Sequence, residues 1–267
     1  MTSIKSLSSL VNRNALITGA SGSLGKLFAE TLAELGADLI LVDKPNSDLD
    51  KLCKKIRKDW NVNVESHDCD FEIQENRTQL ITNLVKSKKN LNILVNNAAL
   101  VGTSDLDGWA VPFEQQSIHT WRRALEVNLT AAFDLCQGLL PLLKNTEGAN
   151  IINISSIYGI KGPDWTLYEN TNMGNPAAYA ASKSGLIGLT RWLATTISPE
   201  IRVNAIAPGG ILRDQPEIFL NRYSEKTPLG RMAEVEDMKG ALMFLASDLA
   251  KYVTGQVIVI DGGRAAL

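Results

Sequence analysis

Short runs of consecutive apolar residues recur along this chain, and each is followed by a stretch with apolar residues three and four apart. Leu39-Ile40-Leu41-Val42 is the clearest of these runs. Side chains on a strand point alternately to opposite faces, so a run without alternation belongs to a sheet covered on both sides. The runs predict strands at 14–18, 38–42, 63–66, 93–96, 151–154, 202–206 and 256–260. Between them lie helical patterns such as Leu24, Leu27, Phe28, Leu32 and Leu35, stopped by Gly36. The alternation predicts an α/β fold, a doubly wound parallel seven-stranded sheet with helices on both faces. Right-handed crossovers in such a fold bring the C-terminal ends of the strands, and any ligand, to one edge. No linker, repeat or low-complexity tract divides the 267 residues, which predicts one domain.

Charge and cysteine usage narrow the function. Lys and Arg number 27 against 29 Asp and Glu, a net charge of −2. With no basic block, nucleic acid is not an expected partner. The most basic stretch, 51–58, is interrupted by Leu52, Cys53 and Ile56 at helical spacing and reads as a solvated helix face. Cys53, Cys69 and Cys136 are odd in number and form no C-x-x-C, which points to a reducing compartment, the cytoplasm. With only His67 and His119, no His-rich metal site is expected. Neither a signal peptide nor a run near the ~18 apolar residues of a membrane span is visible.

Directly after the first strand, Thr18-Gly19-Ala20-Ser21-Gly22-Ser23-Leu24-Gly25 opens a helix. Glycines there allow a tight turn and let backbone N–H groups and a helix N-terminus approach a pyrophosphate. Asp43 ends the second strand 24 residues beyond Gly19, where a ribose-binding acid belongs. A carboxylate accepts from ribose hydroxyls and repels a 2′-phosphate, so NAD is expected before NADP, with Lys44 next door as the feature that favours NADP.

The sharpest local pattern is Tyr179-Ala180-Ala181-Ser182-Lys183, at the start of a helical stretch. A spacing of four puts Tyr179 and Lys183 on one helix face, one turn apart. An ammonium there favours the phenolate and makes Tyr179 a usable general acid/base. Upstream, 151–154 delivers Ser155 and Ser156 to the same edge of the sheet, where a hydroxyl can stabilise a reacting carbonyl oxygen. Asn128 lies in Val127-Asn128-Leu129 inside a helical pattern.

Taken in order, these motifs resemble the short-chain dehydrogenase/reductase family, from about residue 12 to Gly263. The resemblance implies a Rossmann-type fold and hydride exchange between a nicotinamide and an alcohol or ketone. By the same resemblance, Asn128 holds a water that links the site to solvent and Ser156 polarises the substrate carbonyl. Tyr179 exchanges the proton, while Lys183 lowers its pKa and binds the nicotinamide ribose. Gly19, Ser21, Ser23, Leu24, Gly25 and Asp43 face the pyrophosphate and adenosine ribose, Asp70 and Phe71 the adenine, and Asn97 and Ala98 the adenine-ribose side. Pro208, Gly209 and Ile211 cover the nicotinamide. Association into homodimers or homotetramers through the helices carrying Asn128 and Tyr179 is also implied.

Four features depart from the family pattern. The spacing Gly19, Gly22, Gly25, with Ser23 between, resembles extended members that act as sugar epimerases and dehydratases, but the chain ends just after Asp261-Gly262-Gly263, without an added substrate domain. Ala99 replaces a glycine. Arg213 stands where a threonine contacts the nicotinamide amide, so it either faces an anionic substrate or is solvated. Ser156 and Tyr179 are 23 residues apart, and the inserted 162–176 carries Asp164, Trp165, Tyr168, Glu169, Asn170, Asn172 and Asn175. Such residues suit a polyhydroxylated ligand, or pack on the surface or on a second subunit. The insertion loosely resembles oxidoreductases of bacterial surface-sugar pathways. The stretch 102–119, with Trp109 and Phe113, is a second candidate wall. The leading expectation is an NAD(P)-dependent oxidoreductase that interconverts a secondary alcohol and a ketone, with a sugar or sugar derivative as a candidate substrate. Its alternatives are a sugar epimerase or dehydratase with retained NAD, and a non-catalytic nucleotide-sensing module.

Overall fold

A computed structural model describes residues 1–101, 104 and 106–267. Its seven strands are β1 (Asn14–Thr18), β2 (Asp38–Asp43), β3 (Val64–Asp68), β4 (Ile93–Asn96), β5 (Ala149–Ile154), β6 (Ile201–Pro208) and β7 (Val257–Ile260). They form one sheet in the order β3-β2-β1-β4-β5-β6-β7, with every neighbouring pair parallel. The order reverses between β1 and β4, and at such a switch point two crossovers diverge to opposite faces and leave a crevice.

Among the described residues ten α-helices surround the sheet: α1 (Ile4–Ser8), α2 (Ser23–Glu34), α3 (Leu49–Trp60), α4 (Gln74–Ser87), α5 (Ile118–Leu125), α6 (Ala131–Gly138), α7 (Leu140–Lys144), α8 (Ala177–Thr196), α9 (Glu217–Glu225) and α10 (Lys239–Ala246). The strand pleat sorts the core into two layers. Ile17, Leu41 and Val95 point to the face covered by α2, α3 and α10, through Phe28, Leu32, Ile56 and Leu242. Leu16, Val42 and Leu94 point to the face covered by α4, α6 and α8, through Leu80, Leu84, Leu135 and Leu193. On α3, Leu52, Cys53 and Ile56 are buried and the lysines between them face solvent. Gly36 ends the α2 region with φ +96, a conformation that favours glycine.

Strand ends differ from the sequence expectation where ladder pairing outlasts the apolar run. On edge strand β3, His67 and Asp68 still pair with Val42 and Asp43. β5 begins at Ala149, paired with Ile201. β6 runs to Pro208, and the next ladder donor is Gly209 N–H, bonded to Ile260 O at 2.8 Å.

Buried polar side chains then fix the helices that carry the site. Asn96 Nδ2 donates to Asn153 Oδ1, and Asn153 Nδ2 donates to Thr190 Oγ1, both at 2.8 Å, tying β4 and β5 to α8. Arg77, on α4 and almost wholly buried, donates to Phe71 O at 2.6 Å, Asp134 at 2.7 Å and Glu126 at 2.5 Å. One guanidinium thereby locks the loop after β3 to α6 and to the π-helical turn Glu126–Thr130.

Candidate active site

The C-terminal ends of the strands open into a cleft of about 850 Å³. Of the residues singled out in the sequence, Gly19, Ser21, Ser23, Leu24, Gly25, Asp43, Asp70, Phe71, Asn97, Ala98, Ser156, Tyr179, Lys183, Pro208, Gly209 and Ile211 all line it. Asn128 does not.

At one end the backbone itself forms the wall. A Cβ on Gly19 would lie 2.8 Å from Ala98 Cα, and one on Gly25 would lie 2.1 Å from Gly19 O, so β1, the turn and α2 meet at main-chain contact. Thr18 Oγ1 accepts from the N–H groups of Asn97 and Ala98 at 2.9 and 3.0 Å. Asn97 Nδ2 returns bonds to Thr18 O and Gly19 O at 2.9 and 3.0 Å. Gly22 is the N-cap of α2 and supplies no side-chain cap, which leaves the first N–H groups of that helix to a ligand. Asp43 Oδ2 accepts from Ser21 N and Oγ at 2.8 and 2.6 Å, and its Oδ1 accepts from Lys44 N at 2.8 Å. Ser21 thus shares the carboxylate expected to face a ribose. Asp70 lines the same end and accepts from Glu72 N at 3.0 Å. A close-approach turn, an uncapped helix and a carboxylate at the end of β2 are the parts a dinucleotide needs, and the residues present fit one.

Tyr179, Lys183 and Ser156 meet at the other end. Lys183 Nζ donates to Ile154 O at 2.7 Å and lies 5.8 Å from the centroid of the Tyr179 ring. Lys183 is buried, and the loss of solvation pushes its pKa down to about 8. Burial also holds the Tyr179 phenol above its ordinary value, while the Ser156 hydroxyl and the charge of Arg213 pull it back. Burial outweighs these effects, so the phenol stands above its ordinary value. The loop after β5 approaches α8 closely: Ser155 Oγ donates to Lys183 O at 2.9 Å, and a Cβ on Gly159 would lie 2.8 Å from that same carbonyl.

Asn128 sits in the π-helical turn, where one extra residue re-aims a side chain. Its Nδ2 donates to Leu100 O and Ser182 Oγ at 3.0 Å each, and its Oδ1 accepts from Leu100 N at 2.7 Å. Both amide hydrogens are committed, so the side chain braces the loop after β4 against α8.

Of the insertion, Tyr168, Asn172 and Asn175 line the cleft. Asp164 turns away to Lys226 and Arg264, the bonds from Lys226 and Thr166 hold its carboxyl down to about 2, and Trp165 is exposed. Trp165, Tyr168, Phe219 and Tyr223 stack in succession at centroid distances of 5.7, 5.6 and 5.9 Å, so the insertion leans on α9 and on the loop after β6. Tyr223 donates no bond to that loop but accepts one from Gly210 N at 2.6 Å. Trp109 is buried, with Nε1 donating to Val101 O at 2.8 Å, whereas Phe113 faces solvent. Residues 102, 103 and 105 of the second candidate wall lie outside the described residues.

Sequence reasoning missed Thr18, Tyr158 and Tyr223. Thr18 carried a signal, a hydroxyl at the end of a buried strand; Tyr223 reaches the site from α9 and carried none. Among the described residues no cluster could hold a metal ion, and no helix is long and apolar enough to cross a membrane.

A switch-point cleft with a dinucleotide cradle at one end and a tyrosine, lysine and serine at the other defines a dehydrogenase or reductase of the Rossmann type. A family model described as enoyl-(acyl carrier protein) reductase matches residues 19–265. The chain is 30% identical over 259 residues to the 3-oxoacyl-[acyl-carrier-protein] reductase of Aquifex aeolicus, covering 95% of this chain and 98% of that one. It also resembles a short chain dehydrogenase from Leptospira borgpetersenii with bound NAD+, at TM-score 0.84 and 31% identity over 99% of this chain and 96% of that one. A gluconate 5-dehydrogenase from Burkholderia cenocepacia in complex with NADP and tartrate aligns at TM-score 0.87 and 25% identity, over 99% and 100%. The chain belongs to the short-chain dehydrogenase/reductase family.

Proposed function

We propose that this protein is a one-domain, cytoplasmic, NAD-dependent oxidoreductase that interconverts a secondary alcohol and a ketone on a small polyhydroxylated substrate. The observation that carries the reading is the meeting of Ser156, Tyr179 and Lys183 in one cleft with the glycine turn. The bound nicotinamide supplies the hydride chemistry. Ser156 donates its hydroxyl proton in a hydrogen bond to the substrate oxygen and steadies negative charge there. Tyr179, protonated at neutral pH because burial raises its pKa, gives its proton to that oxygen during ketone reduction. In alcohol oxidation the phenolate takes the hydroxyl proton back. Lys183, held by Ile154 O beneath the ring, keeps a positive charge near the phenolate as it forms. Gly19, Ser21, Ser23, Leu24 and Gly25 hold the pyrophosphate, with Asp70, Phe71, Asn97 and Ala98 on the adenosine side and Pro208, Gly209 and Ile211 over the nicotinamide.

NAD is favoured because Asp43 offers a ribose hydroxyl its remaining Oδ1 lone pair and repels a 2′-phosphate. The substrate class is favoured by the aromatic, hydroxyl and amide groups that the insertion brings to the cleft, and the gluconate 5-dehydrogenase among the similar structures acts on a compound of that kind. Exposed Phe133 on α6 and Trp192 on α8 support association of copies through those helices.

The decisive experiment is Tyr179→Phe assayed at the NADH absorbance alongside NADH binding. Turnover falls by about 10²-fold or more while NADH affinity is kept; undiminished turnover overturns the mechanism.

A further inference from the structure

The charges along the cleft are divided. Its carboxylates among the described residues, Asp43, Asp70 and Glu72, all lie at the end of the glycine turn and the loop after β3, and Glu72 is paired with Arg123 at 2.6 Å. At the opposite end stands Arg213. Its guanidinium forms no ion pair or hydrogen bond among the described residues, and its main chain is pinned instead. Arg213 N donates to Gln215 Oε1 at 2.6 Å, and Gln215 Nε2 donates to Ile211 O at 2.8 Å. The turn is thus set while the side chain stays free and exposed at the cleft wall, near enough for its charge to be felt at the Tyr179 phenol.

Facing the same space, Asn175 is 6% exposed, and its buried Oδ1 has no hydrogen-bond partner. The amide lies against the phenol oxygens of Tyr158 and Tyr168, which are bonded to each other at 2.7 Å. A buried acceptor without a donor is costly, and a ligand hydroxyl is the group that would satisfy it. The acids of the insertion do not reach the cleft, since Asp164 is engaged by Lys226 and Arg264.

We propose that Arg213 and Asn175 form a specificity site for a polyhydroxylated substrate that carries an anionic group, with the guanidinium on the anion and Asn175 Oδ1 on a hydroxyl. This inference rests on the alcohol/ketone reading above. A planar fork of N–H donors suits a carboxylate or a phosphate oxygen pair alike. Arg213 thereby orients the alcohol in the cleft that Ser156 and Tyr179 line and rejects neutral polyols that lack the charge.

Calorimetric titration of the full chain saturated with NADH tests this, using D-gluconate, D-glucitol 6-phosphate and neutral D-glucitol. At least one anion binds roughly tenfold or more tightly than D-glucitol, as a charge-assisted hydrogen bond provides. Preference for gluconate alone assigns a carboxylate, and preference for the phosphate alone assigns a phosphate. Arg213→Gln abolishes the preference and leaves D-glucitol within about twofold, while Asn175→Ala weakens all three ligands by about fivefold. Equal binding of the three, no binding of either anion, or a preference that survives Arg213→Gln overturns the proposal. So does a loss of NADH affinity in Arg213→Gln, which would put the guanidinium on the cofactor. If the chain binds neither NAD nor NADH, the oxidoreductase reading fails as well; if NADH binds and the anions are not discriminated, only the specificity site fails.

Discussion

Lys183 Nζ is held 2.7 Å from the main-chain carbonyl of Ile154, the last residue of β5, so the ammonium is anchored to the strand that also delivers Ser156. Together with Ser155 Oγ on Lys183 O, this hydrogen bond ties α8 to the sheet edge beside the cleft. It is also expensive, because the amine is buried and its pKa is pushed down to about 8.

The cost has a defined pH window. Between pH 8 and the ordinary lysine value near 10.4, the unfolded chain binds more protons at this position than the folded one, so stability rises with pH across that interval. Below pH 8 the full penalty applies. Lys183→Met removes it, and with the lost hydrogen bond subtracted the variant gains on the order of 1–2 kcal/mol at pH 7. The gain is nearly gone by pH 9 and turns above pH 10.5 into a loss of about the value of the hydrogen bond, while turnover falls by about 10²-fold or more. Thermal melts at pH 7 and 10 measure it; a variant less stable than the parent at pH 7 contradicts the argument.

Asp43→Ala removes the carboxylate at the end of β2 and releases Ser21. A hydrogen bond to a charged acceptor is worth about 1.5–3 kcal/mol, so kcat/KM for NAD falls by roughly tenfold to a hundredfold. That for NADP rises as the repulsion ends. Steady-state kinetics with both nucleotides decide, and an unchanged ratio removes Asp43 from the cofactor assignment.

Gly159→Ala tests the contact between the loop after β5 and α8. The new Cβ would sit 2.8 Å from the backbone of Lys183, which cannot move without shifting the helix. Overpacking of this kind costs about 1–3 kcal/mol. A lower melting temperature together with reduced kcat is expected, whereas Gly162→Ala, with open space around it, changes neither.

Trp192 is 58% exposed on α8, away from the cleft. The association proposed above covers this ring with a partner copy. Light scattering after size exclusion should give a multiple of 29.1 kDa for the parent and a smaller species for Trp192→Asp. A monomeric parent refutes the association.

The seven-stranded parallel sheet and its two layers of helices were legible in the sequence, because a strand buried on both faces must be apolar throughout and a helix buried on one face must repeat every three or four residues. The glycine turn, Asp43 and the Tyr179–Lys183 pair were legible for a related reason. Each is a local pattern whose chemistry depends on spacing within one turn or one crossover.

What tertiary structure decided lies between elements distant in sequence. Thr18 grips Asn97 and Ala98, Tyr223 reaches Gly210 from α9, and Asn128 spends its amide on Leu100 and Ser182. None of these pairings has a period or a spacing, since hydrogen-bond partners are chosen by the packing of whole helices on the sheet. Burial is likewise a property of the assembled core, which is why the Tyr179 phenol stands above its ordinary value although a lysine follows one turn later. The sequence alone determined which chemical groups this edge of the sheet would carry; only the folded chain determined which are free to meet a substrate and which are consumed in holding one another.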